Sequence, residues 1–367
     1  MLTNRFRICR LFTFRARQQD VGFAVAIEPE YYHDWSDGTQ RFVVVPFARW
    51  DLEDSERTHL DLREFYWRRS FDSADFYVGL RKVFWGVTES VHLVDVINQT
   101  DLVENPDAED KLGQPMLQLT LLRARGTLDL FIMSGFRERS FAAGDGRFRP
   151  ALRIADRARY ESDLERWHPD LAARWSQILG DCDLGVSHFF GTSRQPRFVA
   201  NLGNTPPRLF PHYDLLHQTG IDLQFTRSDW LAKLEAVHRD AVDGRSTAAV
   251  IGVEYTLVGI VGAADLGIVA EGQYDNRDAP LASFADNDLA VGGRFTFNDI
   301  QDTDILAFTA VDTDNGTLFS SVEANRRWRD AGEIRLEARF FSNVETGDPL
   351  YAFRRDDYLQ FEYVHFF

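Results

Sequence analysis

The chain has 367 residues, 44% of them hydrophobic and 27% charged, with 30 Phe, 11 Tyr and 8 Trp. That balance excludes a disordered chain, and a formal net charge of −16 excludes nucleic acid as a partner, because phosphate binding wants a basic face. No run approaches the roughly 18 uninterrupted apolar residues of a membrane-spanning helix.

In chain order, the first segment from Met1 to Arg17 carries arginines that interrupt every apolar run. It holds no apolar core of a signal peptide, so for an exported protein the true start is expected upstream, or the chain to be a processed or truncated one. From there the dominant signal is a period of two, in which successive side chains of a strand face opposite ways. Leu117, Leu119 and Leu121 alternate with Gln118 and Thr120. Ile221, Leu223 and Phe225 alternate with Asp222, Gln224 and Thr226. Leu266, Ile268 and Ala270 stand opposite Asp265, Gly267 and Glu271, and Phe295 and Phe297 opposite Arg294, Thr296 and Asn298. Ile334, Leu336, Ala338 and Phe340 alternate with Arg335, Glu337 and Arg339.

Such segments begin near Arg5, Val21, Gln40, Arg57, Asp75, Pro115, Thr127, Leu171, Asp183, Pro211, Asp229, Thr247, Asp265, Asp288, Thr303, Thr317, Glu333 and Asp357. They predict an all-β chain, a closed antiparallel transmembrane β-barrel of about 18 strands (16–18), as a single domain over 1–367. The connections sharpen this. Every second one is a tight turn, and the long ones, 87–114, 138–170, 192–210, 275–287 and 345–356, all fall in the other set. Outer-membrane barrels have short periplasmic turns and longer outer loops, whereas soluble sandwiches give no reason for such alternation, and no propeller-length repeat is present. The last strand, Tyr358 to Phe367, ends on Phe with Leu359, Phe361 and Tyr363 alternating back from it. This resembles the assembly signal of bacterial outer-membrane barrels and implies the barrel-assembly machinery as a partner through Phe367; His365 departs from the usual apolar residue.

If the apolar set faces lipid, the other set faces the lumen, because Arg or Lys toward lipid at mid-depth costs about 2–4 kcal/mol. The expected pore-lining residues are Arg63, Arg81, Asp129, Asp222, Lys233, Glu235, Glu254, Glu271, Arg294, Glu323, Arg335, Glu337, Arg339 and Glu362. Mixed charges of this kind also pair across strands and simply brace a wall. In the long loop 87–114, Val91 to Ile97 is too apolar to float in water. The remainder is acidic, so the loop is expected to fold into the lumen as a constriction carrying Asp95, Asn98, Asp101, Glu104, Asp107, Glu109 and Asp110 near Arg63 and Arg81. The alternative is an acidic surface loop. The loop 138–170, with Arg137, Arg139, Arg147, Arg149, Arg153, Arg157 and Arg159 among acids, reads as a solvated mixed-charge segment or a basic vestibule.

No sequence signature of a hydrolase, phosphate-binding loop, dinucleotide fold, metal site or other cofactor is present. Cys9 and Cys182 sit on separate segments and are expected to be unpaired. His212 and His217 are five apart and Ser187 and His188 adjacent, so on strands neither pair acts together.

At Phe84-Trp85-Gly86, followed by Asp95-Val96-Ile97-Asn98 and Asp101, the chain resembles a group of uncharacterised proteobacterial outer-membrane porins. In these a strand ends in a Trp-Gly step and leads into a loop with an Ile-Asn-x-x-Asp element. The alginate-export porins are a more distant comparison, similar in strand number and in an arginine-rich lumen. The resemblance covers about twenty residues and implies a channel in the lipid bilayer of the bacterial outer membrane, without naming its solute. The expectation is therefore a non-enzymatic porin-like channel for small polar or charged solutes. The alternatives are a structural or adhesion barrel that binds partners through its outer loops and, further off, an outer-membrane hydrolase.

Overall fold

The computed structural model describes residues 2–13, 21–144, 146–150, 152–201, 203, 206–277 and 287–367, the first of these segments by its backbone alone. In chain order the strands are β1 (Leu2–Thr13), β2 (Val21–Trp35), β3 (Gln40–Asp51), β4 (His59–Phe71), β5 (Ala74–Arg81), β6 (Gln114–Arg123), β7 (Gly126–Met133), β8 (Arg153–Ile154), β9 (Arg159–Tyr160), β10 (Asp170–Leu179) and β11 (Cys182–Thr192). They continue with β12 (Arg197–Asn201), β13 (Arg208–Tyr213), β14 (Leu215–Arg227), β15 (Trp230–Ala241), β16 (Gly244–Val261), β17 (Ala264–Asp275), β18 (Asp288–Thr296), β19 (Asp304–Asp312), β20 (Leu318–Trp328), β21 (Gly332–Ser342) and β22 (Tyr358–Phe366). Two short 3-10 turns, Glu165–Trp167 and Pro349–Ala352, are the helical elements among the described residues.

Each wall strand pairs antiparallel with the next in sequence. β7 joins β10 and β11 joins β14, with β8, β9, β12 and β13 left outside the wall. β1 pairs with β2 along one edge and with β22 along the other. Short connections (36–39, 72–73, 124–125, 180–181, 228–229, 262–263) gather at one end of the sheet. The long segments 82–113, 134–169, 193–214 and 343–357 leave from the opposite end.

The alternation read from the sequence decides the faces. Leu60, Ile132, Leu171, Ile221, Ile251, Ile268, Leu289, Val291 and Leu336 point outward and are exposed, Leu60 by 84% and Ile251 by 66%. Their alternates Arg63, Asp222, Glu235, Glu271, Arg339 and Glu362 point inward and are buried. A slip of one residue in any pairing would exchange these faces, so the pattern pins the register.

Two expectations are corrected. The segment from Pro211 is not one wall strand: β13 ends at Tyr213 and the wall begins again at Leu215. β13 belongs to a small separate sheet with antiparallel β12 and parallel β8 and β9. The segment 138–170 is likewise not merely solvated. Phe136 and Tyr160 pack on Tyr213 with ring centroids 4.8 and 5.6 Å away, and the Tyr160 hydroxyl donates to Glu138 at 2.6 Å. No period of two signals this sheet, because its strands are short and its apolar side chains serve a knot of loops rather than a wall.

Candidate functional site

Segment 82–113 turns back into the space the wall encloses. Its apolar part packs there: Trp85, Val94, Val96 and Ile97 form one buried cluster with the inward Met116, Phe131, Met133, Ala172, Phe189, Leu216, Val237 and Ala248. Those inward positions are apolar because they face the segment and not water. The Trp85 ring lies 5.6 Å from Phe131, and Arg174 covers it at 5.4 Å.

Two wall carboxylates hold the backbone of the segment. Glu235 on β15 accepts from the amides of Val87 (2.7 Å), Thr88 (3.0 Å) and Val94 (3.1 Å) and from the Thr88 hydroxyl (2.8 Å). Glu271 on β17 accepts from the amides of Glu89 and Ser90, both at 2.8 Å, and from the Ser90 hydroxyl. Gly86 stands where a side chain could not follow: its φ is +149°, and a Cβ there would meet His92 at 3.0 Å and Glu235 at 3.1 Å. Asn98 ties the segment to itself, accepting from the Val83 amide and donating to the carbonyls of Arg81 and Leu112, each at 2.8 Å. Asp95 pairs with Lys111 at 3.0 Å.

The far limb crosses to other strands. Asp101 meets Arg63 at 2.6 Å and Glu104 meets Arg49 at 2.9 Å. Asn105 donates to Glu337 at 3.1 Å, and Arg339 reaches Asp107 at 3.5 Å and Glu323 at 2.7 Å. Burial together with the neighbouring Glu337 pushes the Asp107 carboxyl up to about 8. Burial disfavours charge on His92, but hydrogen bonds to Glu109 and Glu235 outweigh it and push this imidazole up to about 10.

Beyond the segment lies an open cavity of about 2360 Å³. It is lined by 89–111, by Arg139, Arg149, Arg194 and Arg277 from the other loops, and by the inward face of β18–β22. Asp304 and Asp312, the two ends of β19, both line it, with Leu306, Phe308 and Ala310 between them. Pairing aligns the wall in rows: Asp304, Asn325, Arg335 and Glu362; then Leu306, Glu323, Glu337 and Gln360; then Phe308, Ser321, Arg339 and Tyr358. The cavity thus runs the length of the strands, from within a few residues of the short turns to the long loops.

The expected residues therefore divide. Arg294, Glu323, Arg335, Glu337, Arg339 and Glu362 line the cavity, as do Asp95, Asn98, Glu104, Asp107, Glu109 and Asp110. Arg63, Lys233, Glu235 and Glu271 do not: they are buried against segment 82–113, which was expected to narrow the space but not to seal wall charges beneath itself. Glu254 lies beside Lys233 at 3.9 Å. Asp222 is closed by Arg174 at 2.5 Å, and Asp129 accepts from Gln118 at 3.1 Å. Among the described residues Arg81 meets no loop carboxylate; it donates to Gln118 and lies 3.8 Å from the Tyr77 ring centre.

Sequence reasoning missed Arg49, Arg194 and Asp170, and read Arg139 only as part of a solvated loop or basic vestibule and not as a partner of segment 82–113. Arg194 bonds the Ile97 carbonyl at 3.0 Å and Asp170 at 2.7 Å, and Arg139 bonds Gln99 at 3.2 Å. Nothing in their local pattern marks them, since their partners lie far along the chain. His59, Asp101 and Glu104 bring ligand-type atoms within 4.8 Å of one another, but Arg63 and Arg49 already neutralise the two carboxylates and would repel a cation. Ser187 is inward and buried, while His188 faces outward and bonds Thr219 at 2.9 Å, so this adjacent pair shares no site. Cys182 is a free thiol; the Cys9 side chain lies outside the described residues.

No family model and no curated protein matches the chain. Solved structures do. OccK11 (OpdR) of Pseudomonas aeruginosa superposes with a TM-score of 0.58 at 10% identity, over 100% of this chain and 95% of its own. A BenF-like porin from Pseudomonas fluorescens Pf-5 gives 0.57 at 9% identity, over 100% and 97%. Wzi of Escherichia coli, an outer-membrane protein involved in group 1 capsule assembly and described as a carbohydrate-binding β-barrel, gives 0.56 at 9% identity, over 98% and 83%. At such identities the likeness shows the fold: this chain is folded as an antiparallel β-barrel like those of outer-membrane porins.

Proposed function

We propose that this protein is an outer-membrane channel that passes small polar or charged solutes passively. Its wall would be a ring of eighteen strands closed where β22 meets β1, with segment 82–113 as its constriction. The observation that carries the reading is the cavity lined by alternate residues along the whole of β19, from Asp304 to Asp312. The outward belt supports it. Exposed Leu, Ile and Val cost about 25 cal/mol for each Å² left in water and nothing in hydrocarbon, so a continuous apolar outside with charges inside suits a bilayer. The terminal strand with Phe367 supports delivery by the barrel-assembly machinery. The porin neighbours agree in fold.

Purified protein in planar bilayers is expected to give steady single-channel currents, and an absence of current over many insertions would overturn the reading. Deleting Glu104 to Asp110 is expected to raise conductance; unchanged conductance and selectivity would discard the constriction.

A structural or adhesion barrel is the second reading. It draws on the fit to Wzi and on the filling of one side of the lumen by segment 82–113. Binding of a surface polysaccharide with no current would favour it.

A further inference from the structure

We infer that the open side of the lumen is built for an organic cation with a flat apolar face; the inference deepens the channel reading and rests on it. The first observation is an apolar stretch where a water-filled lumen gains nothing from one. β19 reads DILAFTAVD and is apolar on both faces. Its inward Leu306, Phe308 and Ala310, with Phe319 beside Ala310, line the cavity and stay partly exposed there. Inward apolar residues elsewhere, such as Val237 and Ala248, are covered by segment 82–113. These four are not, so their apolar area remains for something that passes.

The second observation is shape. On β18, opposite Phe308, stands Gly292, where a Cβ would lie 2.6 Å from Phe308 Cδ2 and 2.6 Å from the Ala307 carbonyl. The ring leans over the strand into the space of the missing side chain. The paired Ala290 and Ala310 follow on one side of the ring and Leu306 on the other, so the surface beside the ring is a low, apolar platform that can take a planar group.

The third is charge. The arginines nearest the platform are already neutralised: Arg294 by Glu89, Arg335 by Glu333 at 2.7 Å and Arg339 by Glu323 at 2.7 Å. Asp304 and Asp312, at the two ends of β19, and Asp110 of segment 82–113 line the same cavity, and none of the three forms an ion pair among the described residues. On the wall strands β18–β21 the unneutralised charge that faces the cavity is therefore negative; Arg139, Arg149, Arg354 and Arg355 line it from the long loops and not from the wall. An aromatic face also attracts a cation, so ring and carboxylates select the same sign.

The test uses the full-length protein in planar bilayers with three probes: phenethylammonium, ethylammonium and phenylacetate. Phenethylammonium is expected to block current with an apparent Kd about fivefold below that of ethylammonium, as a stacked ring and cation would give, and phenylacetate to block least. Phe308→Leu keeps the apolar bulk and is expected to erase the difference between the two ammonium ions; Asp304→Asn with Asp312→Asn should weaken both. Equal block by the two ammonium ions, stronger block by phenylacetate, or a Phe308→Leu variant that still discriminates would each overturn the inference. If the protein carries no current, the channel reading fails separately, and calorimetric titration of phenethylammonium into detergent-solubilised protein decides this one. Heat lost in Phe308→Leu supports it, whereas heat absent from the wild type or unchanged in the variant overturns it.

Discussion

The two sides of the lumen use the same sequence device for opposite ends. On β15 and β17 the inward carboxylates Glu235 and Glu271 are wholly buried and accept seven hydrogen bonds from the backbone and hydroxyls of segment 82–113. On β19–β22 the inward Asp304, Glu337 and Glu362 face the open cavity. Alternation puts a charge inside in both cases; whether it fastens a plug or meets water depends on which wall the returning loop lies against. A buried carboxylate is tolerable on the covered side because backbone amides satisfy it. On the open side water and paired arginines do so.

The sharpest way to break this contrast is Glu235→Ala. It leaves three amides and a hydroxyl of segment 82–113 without their acceptor, an expected loss of about 3 kcal/mol from the docking of the segment. Limited proteolysis should then cut within 87–94 while the wall stays folded, and channel noise should rise. A segment as protected as in the wild type would show that the apolar cluster alone holds it. Trp85→Ala probes that cluster and should cost about 3 kcal/mol through the void beside Phe131, read as a lower thermal midpoint. On the open side, Arg339→Met removes the buried cation shared by Glu323, Glu337 and Asp107; it should cost about 3 kcal/mol and raise the preference for cations in reversal-potential measurements.

The smallest expected effect is in pH. Asp107, pushed up to about 8 by burial and Glu337, keeps its proton at neutrality. Folding then holds a proton that the unfolded chain has released, so its contribution is fully present below the ordinary carboxylate range and declines as pH rises to about 8. Over pH 7–9 segment 82–113 gains a negative charge, and cation preference should increase modestly in the wild type and stay flat in Asp107→Asn. A rise of equal size in both would assign the change to other groups.

Much of the fold was legible because a barrel strand writes its two environments into alternate residues. The order Ile221-Asp222-Leu223 already states outside, inside, outside, and the exposed Ile221 and buried Asp222 follow it. The inward fold of segment 82–113 was legible for a related reason: Val94, Val96 and Ile97 are too apolar for open water and lie at 0–6% exposure against the wall. The reach of Arg194 to Ile97, the burial of Glu235 and the small sheet around Tyr213 were not legible. Each depends on residues more than fifty positions apart or on loops with no period to read.

By itself the sequence determined which side chains face out, where the chain turns and which loop is too apolar to stay in water, because these follow from local alternation and from the cost of wetting hydrocarbon. Only the tertiary structure decided that the apolar part of the loop packs against the inward faces of β6–β16, while its polar residues meet β18 and β21 through Arg294, Glu337 and Arg339 and leave the inward face of β19 uncovered. That choice sets which of many similar inward charges become anchors and which line a path, and it is made by long-range partners such as Glu235 with Thr88 and Arg339 with Asp107.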